Sequence, residues 1–192
     1  MHLVKFIIDL KGDIFRDLMS LKLNVSPIEQ SVNLLDPLKI GLKKKRGVRY
    51  KPYELERYRA SFQLLDGSTC MTALYQISLR VSTTKRRSSG KVKTKFKYKH
   101  KFLYVLTLKL KESDYNLLSL TALNSLKNVY NIAVTSEDGY HLIKLKLKEK
   151  RITLTTKPKF STKIKASNFT KMLDYLRENK IFEPIHTNLL KH

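Results

Sequence analysis

Residues 91–111 alternate between charged and apolar side chains. Lysine holds the odd positions through residue 101, namely Lys91, Lys93, Lys95, Lys97, Lys99 and Lys101, while the even positions include Phe96, Tyr98, Phe102, Tyr104 and Leu106. Because a strand points successive side chains to opposite faces, the pattern predicts a strand with one cationic and one apolar face. At about 3.3 Å per residue the run would span roughly 70 Å, so we expect a bend or bulge within it.

Two hairpins are predicted around this strand. Residues 69–84 alternate with Ala73, Tyr75, Ile77, Leu79 and Val81 as the expected inner set, and the basic loop "KRRSSGK" leads into the lysine strand. The result would be a long hairpin with a cationic tip. Residues 129–148 predict a second hairpin closed by Glu137, Asp138 and Gly139, whose later strand alternates apolar residues with Lys144, Lys146 and Lys148.

Helical spacing occurs in other segments. Residues 112–128 and 167–180 each space leucine and other apolar residues on one helical face, and residues 12–23 also favour a helix. Residues 53–65 fit two structures. As a helix they place Leu55, Tyr58, Phe62 and Leu65 at heptad spacing and end at Gly67; as a strand they make Asp66-Gly67 a hairpin turn. We expect residues 1–50 to be an N-terminal extension or small subdomain and residues 51–192 to be the core.

Charge changes the picture, because it is both large and localised. The 192-residue chain has a formal net charge of +23. Residues 41–111 hold 20 basic and 3 acidic side chains, an excess of +17, whereas residues 1–40 hold 5 of each. A concentrated positive field attracts nucleic-acid phosphates or anionic membranes. Membrane binding ordinarily uses a basic amphipathic helix, and here the densest basic run is a predicted strand, so nucleic acid is the expected partner.

Cysteine content and hydropathy indicate the cellular compartment in which the protein is expected. Cys70 is the single cysteine, so no intramolecular disulfide can form, and a reducing compartment is expected. No apolar run approaches the roughly 20 residues that cross a bilayer, and the start "MHLVKFIIDLKG" is too charged for a signal peptide. We therefore expect no membrane insertion and no secretion, with residence in the cytoplasm or an organelle matrix.

The segment "RASFQLLDGST" carries a resemblance. With residues 53–65 helical, the element order becomes αββαββα, and this segment resembles the signature of the LAGLIDADG homing endonucleases and maturases. The resemblance implies an α+β fold in which an antiparallel, basic-faced sheet is backed by helices and lies along DNA. It also implies that Ala60 and Ser61 allow close helix packing, and that Asp66 is the catalytic metal ligand for Mg²⁺. One motif per chain then implies a homodimer that hydrolyses phosphodiester bonds.

The candidate nucleic-acid-binding residues are the basic side chains of both hairpins: Lys85, Arg86, Arg87, Lys91, Lys93, Lys95, Lys97, Lys99, Lys101, Lys144, Lys146 and Lys148. Two other functions fit the same residues. One is a non-catalytic DNA- or RNA-binding protein, either maturase-like or an accessory protein of a phage or mobile element, with Asp66 as a turn residue. The other is a basic inhibitor of an acidic protein partner. The sequence contains no glycine-rich phosphate loop and no paired cysteines.

Overall fold

The computed structural model describes residues 14–65, 67–117, 130–156, 165 and 167–184. Its strands are β1 (Ile14–Leu23), β2 (Val48–Leu64), β3 (Thr69–Arg86), β4 (Val92–Lys111), β5 (Tyr115–Leu117), β6 (Asn131–Glu137), β7 (Tyr140–Lys148), β8 (Ile152–Leu154) and β9 (Phe182–Pro184). One α-helix lies in the described part of the chain, α1 (Ser167–Glu178).

An antiparallel sheet dominates the fold. Its strands run in the order β1-β2-β3-β4-β7-β6, with β8 pairing with β4 as well, while β5 and β9 form a separate two-stranded sheet. Both predicted hairpins are confirmed. The second closes through Asp138 and Gly139, which both have positive φ, as the two-residue turns that match strand twist require.

The predicted αββαββα, helix-backed α+β fold is wrong. Residues 53–64 belong to β2, which pairs with β3 from Val48↔Thr83 to Gln63↔Thr69, and residues 14–23 form β1 rather than a helix. The predicted helix at 112–128 falls largely outside the described residues, and its described part contains β5. The helix at residues 53–65 on which the homing-endonuclease resemblance relies is therefore a strand.

A bulge explains why β2 looks helical in sequence. The register between β2 and β3 shifts between Glu56 and Tyr58, which inserts Arg57 as an extra residue. Leu55, Tyr58 and Phe62 are consequently all buried, although their spacings of three and four residues are those of a helix.

The core lies between α1 and one side of the sheet, which we call the core face. It carries the even-numbered residues of β4 from Tyr98 to Leu110, all buried. The Phe169 ring of α1 lies 5.3 Å from the Tyr104 ring and 6.0 Å from the Tyr58 ring, measured between centroids. Met172 and Leu176 are buried beside it, which confirms the apolar face predicted for this helix. Each such side chain stabilises the fold by about 1.5–3 kcal/mol.

The alternation predicted in β4 is confirmed from Tyr98 to Leu110. The bend or bulge expected within this strand is absent from its pairing with β3. β4 pairs with β3 without a register shift from Thr69↔Lys109 to Arg86↔Val92. Val92, Thr94 and Phe96, on the apolar side of the pattern, are exposed because this end of the hairpin extends past the core.

The inner set predicted for β3 is only partly right, because Ala73 and Leu79 are buried but Tyr75, Ile77 and Val81 are half-buried. Leu74, which alternates with that set, lies on the core face together with three buried polar residues, Thr72, Gln76 and Ser78. The strand register explains why Leu74 lies on the core face: it is paired with Tyr58 and Tyr104, both of which are buried.

The N-terminal residues that the structure describes join the same sheet. β1 pairs with β2, and Ile28 packs in a small cluster with Tyr53 and Leu55. The division at residue 50 stays a prediction. None of the helices formed by the described residues is long and apolar enough to cross a membrane.

Candidate nucleic-acid interface

Strand register places the predicted lysines of β4 and β7 on a single face. Leu103 pairs with Lys148, Val105 with Lys146 and Thr107 with Lys144. Because directly paired residues of antiparallel strands point to the same side, the β7 lysines share a side with the odd-numbered residues of β4. We call this side the lysine face; its predicted members are Lys91, Lys93, Lys95, Lys97, Lys99, Lys101, Lys144, Lys146 and Lys148.

These lysines present charge to solvent. Lys99, Lys101 and Lys146 are half-buried, and the other members of the set are exposed. Four salt bridges join described residues, and they involve other cations, such as Lys22 and Arg59 with Glu56. None of the lysine-face members forms one of these salt bridges with a described carboxylate.

Lys101 is partly buried and lies near both positive and negative groups. Burial, followed by the positive charges of Arg151 and Lys148, lowers the pKa of its ammonium group, while the charge of Glu54 acts in the opposite direction. An anion bound near this lysine would offset the effect of the two positive charges.

A shallow cleft of about 380 Å³ crosses the lysine face near the middle of the sheet. Its lining includes Arg59, Tyr75, Val105 and Lys144. Arg59 is held by Glu56 through hydrogen bonds from Nε and Nη2. Burial raises the pKa of the Glu56 carboxyl, but hydrogen bonds from Arg59 and Tyr75 outweigh it and hold the value below the ordinary one. Glu56 therefore stays ionised and orients Arg59 at the rim.

The far end of the β3–β4 hairpin is densely charged. Lys85 lies directly opposite Lys93, and Arg86 opposite Val92. A second cleft, of about 350 Å³, is lined by Thr83, Lys85, Arg86, Arg87, Lys93 and Lys95. Like charges placed directly across a ladder destabilise a hairpin, so this arrangement favours an anionic partner.

A third basic cleft, of about 600 Å³, opens beyond the core on the opposite side of the sheet. Arg49, Lys51 and Arg80 line it, and the Arg80 guanidinium carbon lies 4.7 Å from the centroid of the exposed Phe96 ring. Sequence analysis did not select these three cations. Arg49 and Lys51 come from β2 and Arg80 comes from β3, and they meet through the β2–β3 register, in which Lys51 pairs with Arg80. The spacing of Arg49 and Lys51 two residues apart along β2 is a signal that could have found that pair.

The predicted metal site cannot be placed, because Asp66 lies outside the described residues. Around it, Gly67 N–H donates to Leu64 O at 3.0 Å and Leu64 N–H donates to Ser68 O at 2.7 Å, as in a tight turn between β2 and β3. No cluster of three or more His, Cys, Asp or Glu side chains suited to a metal ion occurs among the described residues. Mg²⁺ binding by Asp66 stays a prediction.

Other reactive groups are buried. Cys70 is almost fully enclosed, and burial raises the pKa of its thiol to about 12, so it is not a nucleophile at neutral pH. His100 and Ser78 lie opposite each other on the core face, with no hydrogen-bond partner at either His100 ring nitrogen or at Ser78 Oγ. Both side chains are about 1% exposed, which leaves a substrate no direct approach to them.

Comparison of the chain with family models, with curated proteins and with solved structures found no match.

Proposed function

We propose that this protein binds nucleic acid by laying its lysine face along the phosphate backbone of DNA. The observation that supports this most is the β4–β7 register, which puts two separate lysine series on one face. Their charges are not paired with the described carboxylates. A surface of this kind interacts with polyanions chiefly by releasing counterions.

The dimensions of the lysine row suit a double helix. From Lys91 to Lys101 the strand advances about 33 Å, close to one turn of B-form DNA at roughly 34–36 Å. Lysines two residues apart are spaced by about 6.7 Å, and each DNA strand presents a phosphate every 3.4 Å along the axis. Since lysine acts as a point charge and phosphates carry no sequence information, we expect this face to bind with little base preference.

The test compares two variants with equal net charge. In Lys97→Gln/Lys144→Gln, both changes remove exposed charges from the lysine face; in Lys39→Gln/Lys171→Gln, both remove exposed charges from a loop and from α1. Affinity for duplex DNA is measured between 50 and 200 mM salt. The lysine-face variant should lose close to 2 from the slope of log affinity against log salt, at about 0.9 per lost phosphate contact. The control variant should keep the wild-type slope.

Equal slopes for the two variants would show that net charge alone drives binding and would contradict the proposal. A polyglutamate competitor separates the acidic-protein alternative. If polyglutamate displaces DNA at equal charge concentration, the surface is a general anion binder and the inhibitor reading is favoured. The homodimer and hydrolysis at Asp66 stay predictions outside this proposal.

A further inference from the structure

The end of the β3–β4 hairpin has the shape of a two-stranded ribbon. The last β2–β3 pair is Val48↔Thr83, so from residue 85 outward the described sheet contains only β3 and β4. We call residues 85–93 the ribbon. All nine are exposed, and five are basic with none acidic.

The ribbon continues the paired strands of the core rather than forming an irregular loop. The β3–β4 ladder runs unbroken from the buried Cys70↔Leu108 pair out to Arg86↔Val92. The turn is closed by Arg87 N–H donating to Lys91 O and by Gly90 N–H donating to Arg87 O, both at 2.9 Å. Gly90 has a φ of 76°, which glycine adopts without strain.

The two sides of the ribbon carry different chemistry. Lys85 and Lys93 lie opposite each other and continue the lysine face, whereas Arg86 shares the other side with Val92. Arginine can donate two parallel hydrogen bonds to guanine O6 and N7, while lysine suits phosphate as a point charge. The ribbon therefore combines backbone contacts with a side chain suited to base edges.

The size of the ribbon indicates which groove of a double helix it can enter. The ribbon projects about 13 Å beyond the Thr84↔Thr94 pair, taking four residues at 3.3 Å each. The major groove of B-form DNA is about 12 Å wide and 8.5 Å deep and admits a two-stranded ribbon. The major groove of A-form RNA is too narrow for side chains to read.

We propose that the ribbon enters the major groove of double-helical DNA, with Arg86 and the adjoining turn residue Arg87 at the base edges and Lys85 and Lys93 at the phosphates. This rests on the proposed nucleic-acid binding, and it adds the groove, the reading residues and the choice of DNA duplex over RNA duplex.

The experiment is dimethyl sulfate methylation of guanine N7, which faces the major groove. A short guanine-containing duplex is saturated with the full-length protein. Wild type should slow N7 methylation, and Arg86→Gln/Arg87→Gln should lose that protection together with roughly tenfold to a hundredfold in affinity. The Lys39→Gln/Lys171→Gln variant is the charge-matched control and should protect as wild type does. Because the ribbon buries no side chain, Arg86→Gln/Arg87→Gln should stay folded, which circular dichroism checks.

A second variant guards against an effect of charge alone. Arg86→Lys/Arg87→Lys keeps the charge but loses the paired donors, so it should keep the salt slope and lose N7 protection. Full protection by this variant would overturn base reading by the arginines.

The remaining outcomes are distinguishable. Salt-dependent DNA binding that leaves N7 unprotected in wild type would overturn the ribbon proposal and leave the lysine face standing. Equal affinity for an RNA duplex of the same sequence, with equal loss in Arg86→Gln/Arg87→Gln, would overturn the choice of groove. Failure to bind any nucleic acid would overturn the proposed function itself.

Discussion

His100 is a titratable residue that the β4 pattern places among apolar side chains. It falls on the apolar side of the β4 pattern and is buried there, with its ring edge-on to Phe102 at 4.9 Å between centroids. Neither ring nitrogen has a hydrogen-bond partner. Burial, followed by the charge of Arg57, lowers the pKa of the imidazole below 6.5. The folded protein therefore holds His100 neutral, at the cost of about 1–3 kcal/mol for an unsatisfied buried group.

Folding stability should fall between pH 7 and pH 5 because of His100. In this window the unfolded chain takes up a proton at His100 more readily than the folded chain does, so the free energy of unfolding declines with falling pH, by at most about 1.4 kcal/mol per pH unit. His100→Leu should remove this component and be at least as stable as wild type at pH 7. Urea unfolding at a series of pH values measures both effects.

Ser78→Ala is the control for that experiment, since it changes the side chain opposite His100 without removing a titrating group. It should keep the wild-type pH dependence. If His100→Leu also keeps it, the imidazole is not held neutral by the fold.

At the scale of elements, β2 shows where the hydrophobic periodicity of a sequence stops predicting the secondary structure. Alternation was enough for β4, β7 and the turn at Asp138-Gly139, because each of these depends on neighbours within the same hairpin. In β2 the bulge at Arg57 shifts the parity of the strand, and the buried residues acquire helical spacing. Arg57 itself is buried with its Nε donating to Gln76 Oε1, a partner 19 residues along the chain that no local pattern identifies. The burial of polar residues on β3 likewise depends on neighbouring strands, which no local pattern identifies.

The candidate site divides in the same way. That lysines alternate along β4 and along β7 is a property of the sequence. That β7 pairs with β4, rather than another strand, is a tertiary fact, and it is what joins the two series on one face. Arg49, Lys51 and Arg80 also could not be grouped from the sequence pattern, because the cleft that they share forms only when the strands that line it are paired in register.

Gly47, which directly precedes β2, is predicted to hold the start of that strand against Thr84 of β3. Its φ is 70°, and a Cβ at this position would lie 3.0 Å from the backbone oxygen of Thr84. Its own carbonyl accepts a hydrogen bond from Thr84 N–H at 2.8 Å. Gly47→Ala should therefore cost the roughly 1 kcal/mol of a left-handed alanine and a further contribution from the contact.

Gly139→Ala is the matched control, because its φ of 75° is similar and nothing lies within 4 Å of the added Cβ. Chemical denaturation of both variants should show the larger loss of unfolding free energy at Gly47. Equal losses would mean that the Thr84 contact relaxes without cost.

Over the whole molecule, the fold separates the apolar residues, which must be buried, from the positive charges, which must stay in contact with solvent. The apolar residues of β4 and α1 are buried together on the core face, while much of the excess positive charge lies on the lysine face and the ribbon. This separation allows a chain with a net charge of +23 to fold, since the lysines extend into solvent. It also leaves like charges near one another on that face; at Lys101, the charges of Arg151 and Lys148 add to the effect of burial in lowering the pKa.

Repulsion between these like charges should make the protein more stable as salt rises. The screening length falls from about 30 Å at 0.01 M to about 8 Å at 0.15 M, which weakens repulsion between lysines several residues apart on the same face. The melting temperature should therefore rise over this range, and Lys97→Gln/Lys144→Gln should show a smaller rise than Lys39→Gln/Lys171→Gln, because its changes remove charges from the crowded surface. Calorimetry or circular dichroism gives the comparison. A melting temperature that stays constant or falls with salt would mean that attractive pairs, such as Arg59 with Glu56, outweigh the repulsion on the lysine face.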